Sequence, residues 1–312
     1  MRVAPETPPG GRLAAQNVVV ALSITAFGGL VTRPEPAWLD SQYNNRARIP
    51  DHAQIFAHWA RASAWAREQS PCHIDVAYGN ASSQMLDVFP AQQPGAPVLV
   101  FIHGGWWRSL DKRDHSFIAP AFSAAGAMVV VPNYALCPAV TVETIALQMV
   151  QALVWTYRHA ARYGGDPKRI VVAGHSAGGH LAAMLLCCRW KDVARDLPTR
   201  LVRSALSISG VFDLEPLRRT PFLKADLRLT PASVKRLSPA GFAPPQGLLY
   251  ATVGSEESEE FLRQNELIRA RWGARAVPVC ESIPGAHHLN VLHALADPQA
   301  RLHGLARRLL GV

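Results

Sequence analysis

An α/β fold with a mostly parallel central sheet, helices on both of its faces and a small cap or lid insertion is what this sequence predicts. Three observations predict it. The chain has 312 residues, a length that suits one large α/β domain. From residue 72 onward, apolar strand-like runs alternate with amphipathic helical stretches, the order in which crossover helices link parallel strands. Several runs are apolar without interruption, such as VLVFI at 98–102, as strands buried on both faces are.

The elements follow in order. HIDVAYG (73–79) and QMLDVFP (84–90) read as a leading antiparallel pair. The apolar run that closes on Gly104 and Gly105 is the next strand, then a helical stretch near 113–125 and the strand AMVVVPNY (127–134). Residues 141–163 read as a long helix stopped by Gly164 and Gly165. RIVVAGHS (169–176) is a strand that runs directly into an Ala/Leu-rich helix, 177–190. The strand 202–208 follows. Residues 211–245 break the alternation with short, polar, proline-containing pieces, the composition of a lid. A strand at 247–254, a helix at 259–272, a strand at 276–284 and a C-terminal helix complete the pattern.

At the other end, QNVVVALSITAFGGLV (16–31) has the length of a signal-peptide core and is short for a bilayer span. Residues 1–36 are therefore read as an N-terminal extension and 37–312 as the folded domain. The TRPEP stretch (32–36) marks the boundary. No stable membrane span is expected.

Composition narrows the function. The formal charge is +9, but only five of the 32 basic residues are lysine and the arginines are scattered. No basic stripe interleaved with aromatics and no zinc-finger spacing occurs, so nucleic acid is not the expected partner. The five cysteines make neither a disulfide framework nor a CxxC pair. Cys187 and Cys188 read as small core hydrophobes. A reducing, cytoplasmic setting follows, with export the alternative if residues 1–31 act as a signal peptide. The histidines form no HExxH motif or His/Asp cluster, so neither metal nor cofactor is expected. A homodimer stays open.

The chemistry centres on Gly174-His175-Ser176-Ala177-Gly178. This G-x-S-x-G pattern stands where an apolar strand stops and a helix starts, the setting of a strained turn that presents a serine nucleophile. A serine hydroxyl needs a base. Acyl transfer also needs backbone N–H donors for the developing oxyanion. Ala177, just after the serine, supplies one. The loop FIHGGWW (101–107) supplies Gly104 and Gly105 after an earlier strand.

With these two motifs the chain resembles α/β-hydrolase esterases of the hormone-sensitive-lipase type, and more narrowly the arylformamidase (kynurenine formamidase) branch, whose hallmark is HGGYW. Here it reads His103-Gly104-Gly105-Trp106-Trp107, with Trp106 in place of tyrosine. LDSQYNNRA (39–47), YALCP (134–138), GHSAGGHLAA (174–183), SGVFDLEPL (209–217), LSP (237–239) and EEFLRQ (259–264) extend the resemblance over nearly the whole domain. It implies an α/β-hydrolase fold and hydrolysis of a small carboxylic ester or N-formyl aryl amide through an acyl-enzyme.

It also implies the chain order serine, acid, histidine. His175, next to Ser176, and His180, one helical turn on, are poorly directed toward the hydroxyl. The resemblance puts the base at His288 in IPGAHHLNVL (283–292), with His287 as competitor. It puts the acid four residues before Phe261, at Glu257, where the branch more often has aspartate. Asp213 is the rival. Ser258 then reads as a helix N-cap with Glu259 and Glu260 in the first turn. Trp106, Trp107 and Tyr134 are candidate walls of an acyl or aryl pocket. A non-catalytic ligand-binding protein on the same fold is the alternative of another class.

Overall fold

The computed structural model describes residues 34–312, so the expectation for residues 16–31 lies outside the described residues. One eight-stranded sheet organises the chain. Its strands are β1 (His73–Ala77), β2 (Met85–Phe89), β3 (Ala96–Ile102), β4 (Met128–Pro132), β5 (Gly165–His175), β6 (Ser204–Ile208), β7 (Leu248–Gly254) and β8 (Val279–Ile283). They lie in the order β1-β2-β4-β3-β5-β6-β7-β8. β1 and β2, and β2 and β4, are antiparallel; every other neighbouring pair is parallel.

The apolar runs are central because both faces of their strands are covered. All seven residues of β3 are buried. Val98, Val100 and Ile102 enter one core cluster, while Leu99 and Phe101 enter the other. This is the two-residue alternation of a pleated strand with helices on either side.

The boundaries show where chain chemistry ends each element. The helix expected over 141–163 is α-helical at Val142–His159, capped by Thr141, and tightens into a 3-10 turn at Ala160–Tyr163. Gly164 closes it in a left-handed conformation, φ 82°. β5 starts at Gly165, earlier than expected, because Gly165 pairs with Ala96. The stretch expected as one helix over 177–190 divides into Ala177–Leu186 and a separate turn, Trp190–Val193. The C-terminal helix is also two, Val291–Ala296 and Arg301–Leu310. The break falls at Asp297, held extended ahead of Pro298.

Two parts of the chain cover the carboxyl ends of the parallel strands. One is the 211–245 insertion, which folds as helices Glu215–Arg219, Pro221–Leu227 and Pro231–Leu237. Polar in sequence, it still buries Leu217, Leu223, Leu227 and Leu237. The other is the N-terminal helices Pro36–Tyr43, Asn45–Arg48 and His52–Gln69. Phe222 N–H donates to Asp40 Oδ1 at 3.1 Å, and Tyr43 donates its hydroxyl to Glu260 Oε2 at 2.5 Å. These bonds join both covers to each other and to the helix after β7. Among the described residues, no helix is long and apolar enough to cross a membrane.

Candidate active site

Ser176 stands on the turn between β5 and the helix Ala177–Leu186, with φ 55° and ψ −116°. A non-glycine residue takes such a conformation only when its surroundings enforce it. Here Ser176 N–H donates to Ile208 O at 2.8 Å, and Ser176 O accepts from His180 N–H at 3.1 Å. The flanking glycines are a matter of space. A Cβ on Gly178 would lie 2.0 Å from Ile102 O of β3, and one on Gly174 would lie 2.1 Å from Gly178 O.

His288 and Glu257 meet at the ends of the loops after β8 and β7. His288 Nδ1 is 2.6 Å from Glu257 Oε2, and the carboxylate side chain is fully buried. Glu257 Oε1 accepts from Gly254 N–H at 2.7 Å and from the hydroxyl of Ser209. With Oε1 taken by Gly254 and Ser209, Oε2 is the acceptor that faces His288 Nδ1, and it suits the tautomer in which Nδ1 donates. In that tautomer Nε2 keeps the lone pair. Ser176 and His288 line one cavity of about 330 Å³.

The rival residues are occupied elsewhere. His287 Nδ1 accepts from Leu289 N–H at 3.1 Å and Asn290 N–H at 3.3 Å, closing its own loop. Asp213 Oδ1 accepts from Glu215 N–H at 3.0 Å. Ser258 caps the helix Glu259–Ala276, with Glu259 and Glu260 in its first turn. His175 donates from Nε2 to His288 O at 2.7 Å and so pins the loop that carries His288. His180 donates from Nε2 to Leu237 O at 2.7 Å, at the end of a lid helix.

Gly104 and Gly105 leave β3 beside the serine. Gly105 has φ 104°, and a Cβ there would lie 2.1 Å from Ser109 O. A Cβ on Gly104 would lie 3.1 Å from the Ser176 Cβ. Ala177 opens its helix, where the first N–H groups have no partner within the helix. Gly104 and Ala177 therefore flank the serine, and Gly105 lines the same cavity.

Of the aromatic trio, only Trp106 lines the cavity. Trp107 and Tyr134, expected at its wall, lie beneath it instead. Trp107 is fully buried, edge-on to His180 with ring centres 5.0 Å apart. Tyr134 donates its hydroxyl to His103 O at 2.9 Å and Gly104 O at 3.1 Å and stacks on His103 at 4.2 Å. Both hold the glycine loop from below because that loop turns back over the sheet: Trp106 and Trp107 adopt φ of 53° and 55°. The rest of the cavity's aromatic surface comes from Phe56, Trp59 and Phe222.

Ser209 and these aromatic rings escaped the sequence reading. Ser209 opens the SGVFDLEPL stretch, but only its left-handed turn, φ 53°, aims it at Glu257. Trp59 had a local signal: Ile55, Trp59, Ser63 and Ala66 form the buried face of a helix at three- and four-residue spacing, and Phe56 borders that face. Phe222 had none, since the lid fold decides where it points.

Burial leaves a pH signature. It holds His175 well below the usual imidazole range, His180 down to about 4 and His115 down to about 3. The unfolded chain takes up these protons near pH 6.5 and the folded chain does not, so stability is full above that pH and falls as pH drops below it. Between pH 7.5 and 5.5, each such histidine is expected to remove about 1.4 kcal/mol of unfolding free energy. Urea midpoints at the two pH values test this; an unchanged midpoint contradicts it.

Among the described residues, no group of three or more His, Cys, Asp or Glu is arranged to hold a metal ion.

A family model described as alpha/beta hydrolase fold matches residues 99–289. The chain is 28% identical over 255 residues to kynurenine formamidase of Danio rerio, covering 79% of this chain and 84% of that protein. It is 29% identical over 241 residues to esterase LipQ of Mycobacterium tuberculosis, covering 69% of this chain and 56% of that one. A solved structure from Silicibacter sp. tm1040, provisionally described as a thioesterase, superposes with a TM-score of 0.75 at 29% identity, over 85% of this chain and 97% of that chain.

Proposed function

We propose that this chain, an esterase-like hydrolase that belongs to the alpha/beta hydrolase fold family, cleaves a small carboxylic ester or N-formyl aryl amide through an acyl-enzyme formed on Ser176. One observation carries the reading: the buried Glu257–His288 pair, 2.6 Å apart, opens on the cavity that Ser176 lines.

The steps follow from the groups in place. His288 Nε2 takes the Ser176 proton as Oγ attacks the acyl carbonyl. Glu257 keeps the imidazole in the right tautomer and balances its charge. Backbone N–H groups of Gly105, Ala177 and Gly104 hold the oxyanion. His288 then protonates the leaving alcohol or amine, and water releases the acyl group by the same base.

The formamide side of this reading is favoured by the aromatic walls of the cavity and by the likeness to the Danio rerio kynurenine formamidase. A ligand-binding protein without catalysis is disfavoured, because such a protein has no use for a buried acid, an oriented imidazole and a strained serine together.

The test is a fluorophosphonate probe followed by a hydrolysis panel. Labelling at Ser176, absent in Ser176→Ala, is expected. A folded protein that does not label overturns the proposal. kcat/KM for p-nitrophenyl esters of rising acyl length against N-formylkynurenine then separates ester from formamide; activity confined to esters removes the formamidase reading.

A further inference from the structure

The hydrolysis proposed above gives Phe261 no role, yet its ring packs on the imidazole of His288. Phe261 is fully buried in the first turn of the helix Glu259–Ala276, and its N–H donates to Ser258 Oγ at 3.5 Å. Its ring centre is 4.3 Å from that of His288, with the planes 43° apart. Edge-on ring pairs among the described residues have centres 5.0 Å or more apart, as His73 and Tyr163 do, so a ring face takes part in this contact. Two further rings hold Phe261: Tyr43, edge-on at 5.6 Å, and Trp106 at 5.9 Å. Tyr43 is in turn fixed by its bond to Glu260 Oε2. The aryl face is set in place before any reaction, so no reorganisation is needed when charge develops beside it.

Charge does develop there. When Ser176 gives its proton to His288, the imidazole becomes a cation in a place where His288 is only 4% exposed, with little water to stabilise it. Glu257 meets that charge at Nδ1, but the same carboxylate also accepts from Gly254 N–H and the Ser209 hydroxyl. The other titratable ring against His288 is His175, its centre 4.7 Å away. Burial first, and then the neighbouring His288, holds His175 well below the usual imidazole range, so it stays neutral and adds no repulsion. Arg46, Arg108 and Asp226 are the charged side chains that line the cavity. A cation within about 6 Å of an aryl centre is attracted by the negative face of the ring, most strongly where water is excluded.

We infer that Phe261 is a positioning residue for the reaction, whose aryl face stabilises the imidazolium that His288 becomes in the transition state. The proton passes from Ser176 Oγ to His288 Nε2, and no bond forms to Phe261 or to its ring. The inference rests on the proposed hydrolase of Ser176, His288 and Glu257 and adds a fourth side chain that acts through the base.

The experiment replaces Phe261 in the full chain with mono-, di- and trifluorophenylalanine. Fluorine draws negative charge from the ring face and changes the ring's shape little. For one p-nitrophenyl ester, kcat is expected to fall stepwise, by about tenfold at the trifluoro ring, the scale of one desolvated contact of this kind. KM is expected to change by less than about twofold, and Tm to stay that of the parent. The acid limb of the kcat/KM profile is expected to move stepwise to lower pH, because a less favoured imidazolium forms only at higher acidity. Phe261→Leu, which keeps an apolar side chain and loses the aryl face, is expected to match the trifluoro protein in kcat and in the limb. A flat fluorine series in an active parent overturns the inference and leaves the hydrolase reading standing. So does a loss of kcat that follows Tm or KM, the mark of packing alone, or an acid limb that stays in place. A folded parent that neither turns over the ester nor takes the fluorophosphonate label overturns the hydrolase reading, and this inference with it.

Discussion

His288→Ala is expected to lower kcat by about 10⁵–10⁶, close to the loss from removing the serine itself, because nucleophile and base act as one unit. His287→Ala is expected to change kcat by less than about tenfold, since that ring holds only its own loop through Leu289 and Asn290 N–H. Glu257→Gln gives an intermediate loss of about 10³–10⁴. A glutamine side chain presents an N–H where His288 Nδ1–H needs an acceptor, so the imidazole is driven toward the wrong tautomer. The graded series distinguishes base, acid and bystander by steady-state kinetics on one ester. A His287→Ala loss as large as that of His288→Ala would refute the assignment, as would an unimpaired Glu257→Gln.

Gly178→Ala is expected to be the most damaging small substitution for stability. Its Cβ would lie 2.0 Å from the Ile102 carbonyl oxygen. Neither partner can yield cheaply, because both are backbone: Gly178 is in the helix after the serine and Ile102 is the last residue of fully buried β3. The elbow helix must then move off the sheet, at a cost of about 3–5 kcal/mol. For a domain of this size, that lowers Tm by roughly 5–10 °C. Gly304→Ala is the control with the opposite sign. A Cβ there meets nothing within 4 Å, and the residue lies inside the helix Arg301–Leu310. That change is expected to stabilise by about 0.5–1 kcal/mol through helix propensity. Calorimetric melting of the two variants compares them directly, and a Gly178→Ala protein as stable as the parent would contradict the packing argument.

The parallel core was legible because burial on both faces writes itself into the sequence. Val98–Ile102 and Met128–Val131 leave little room for another element. The elbow was legible because two glycines around a serine at a strand end mark a turn too tight for side chains. The helix His52–Gln69 was less so. Its buried face is narrow, and Trp65, 60% exposed, adds apolar character on the wrong side.

The site divides along the same line. Local chemistry in the sequence determined the sheet, the elbow at Ser176 and the glycine loop beside it, since steric and hydrophobic rules act between near neighbours. Only the tertiary structure decided that Ser209 serves Glu257, that Tyr134 and Trp107 hold the loop from beneath, and that Phe56 and Phe222 line the same cavity as the serine. Those relations join segments far apart in the chain, and the Tyr43–Glu260 bond that ties the N-terminal cover to the helix after β7 spans 217 residues. Contacts across such distances are set by how layers pack, and no local pattern encodes the direction in which a lid or an N-terminal helix returns.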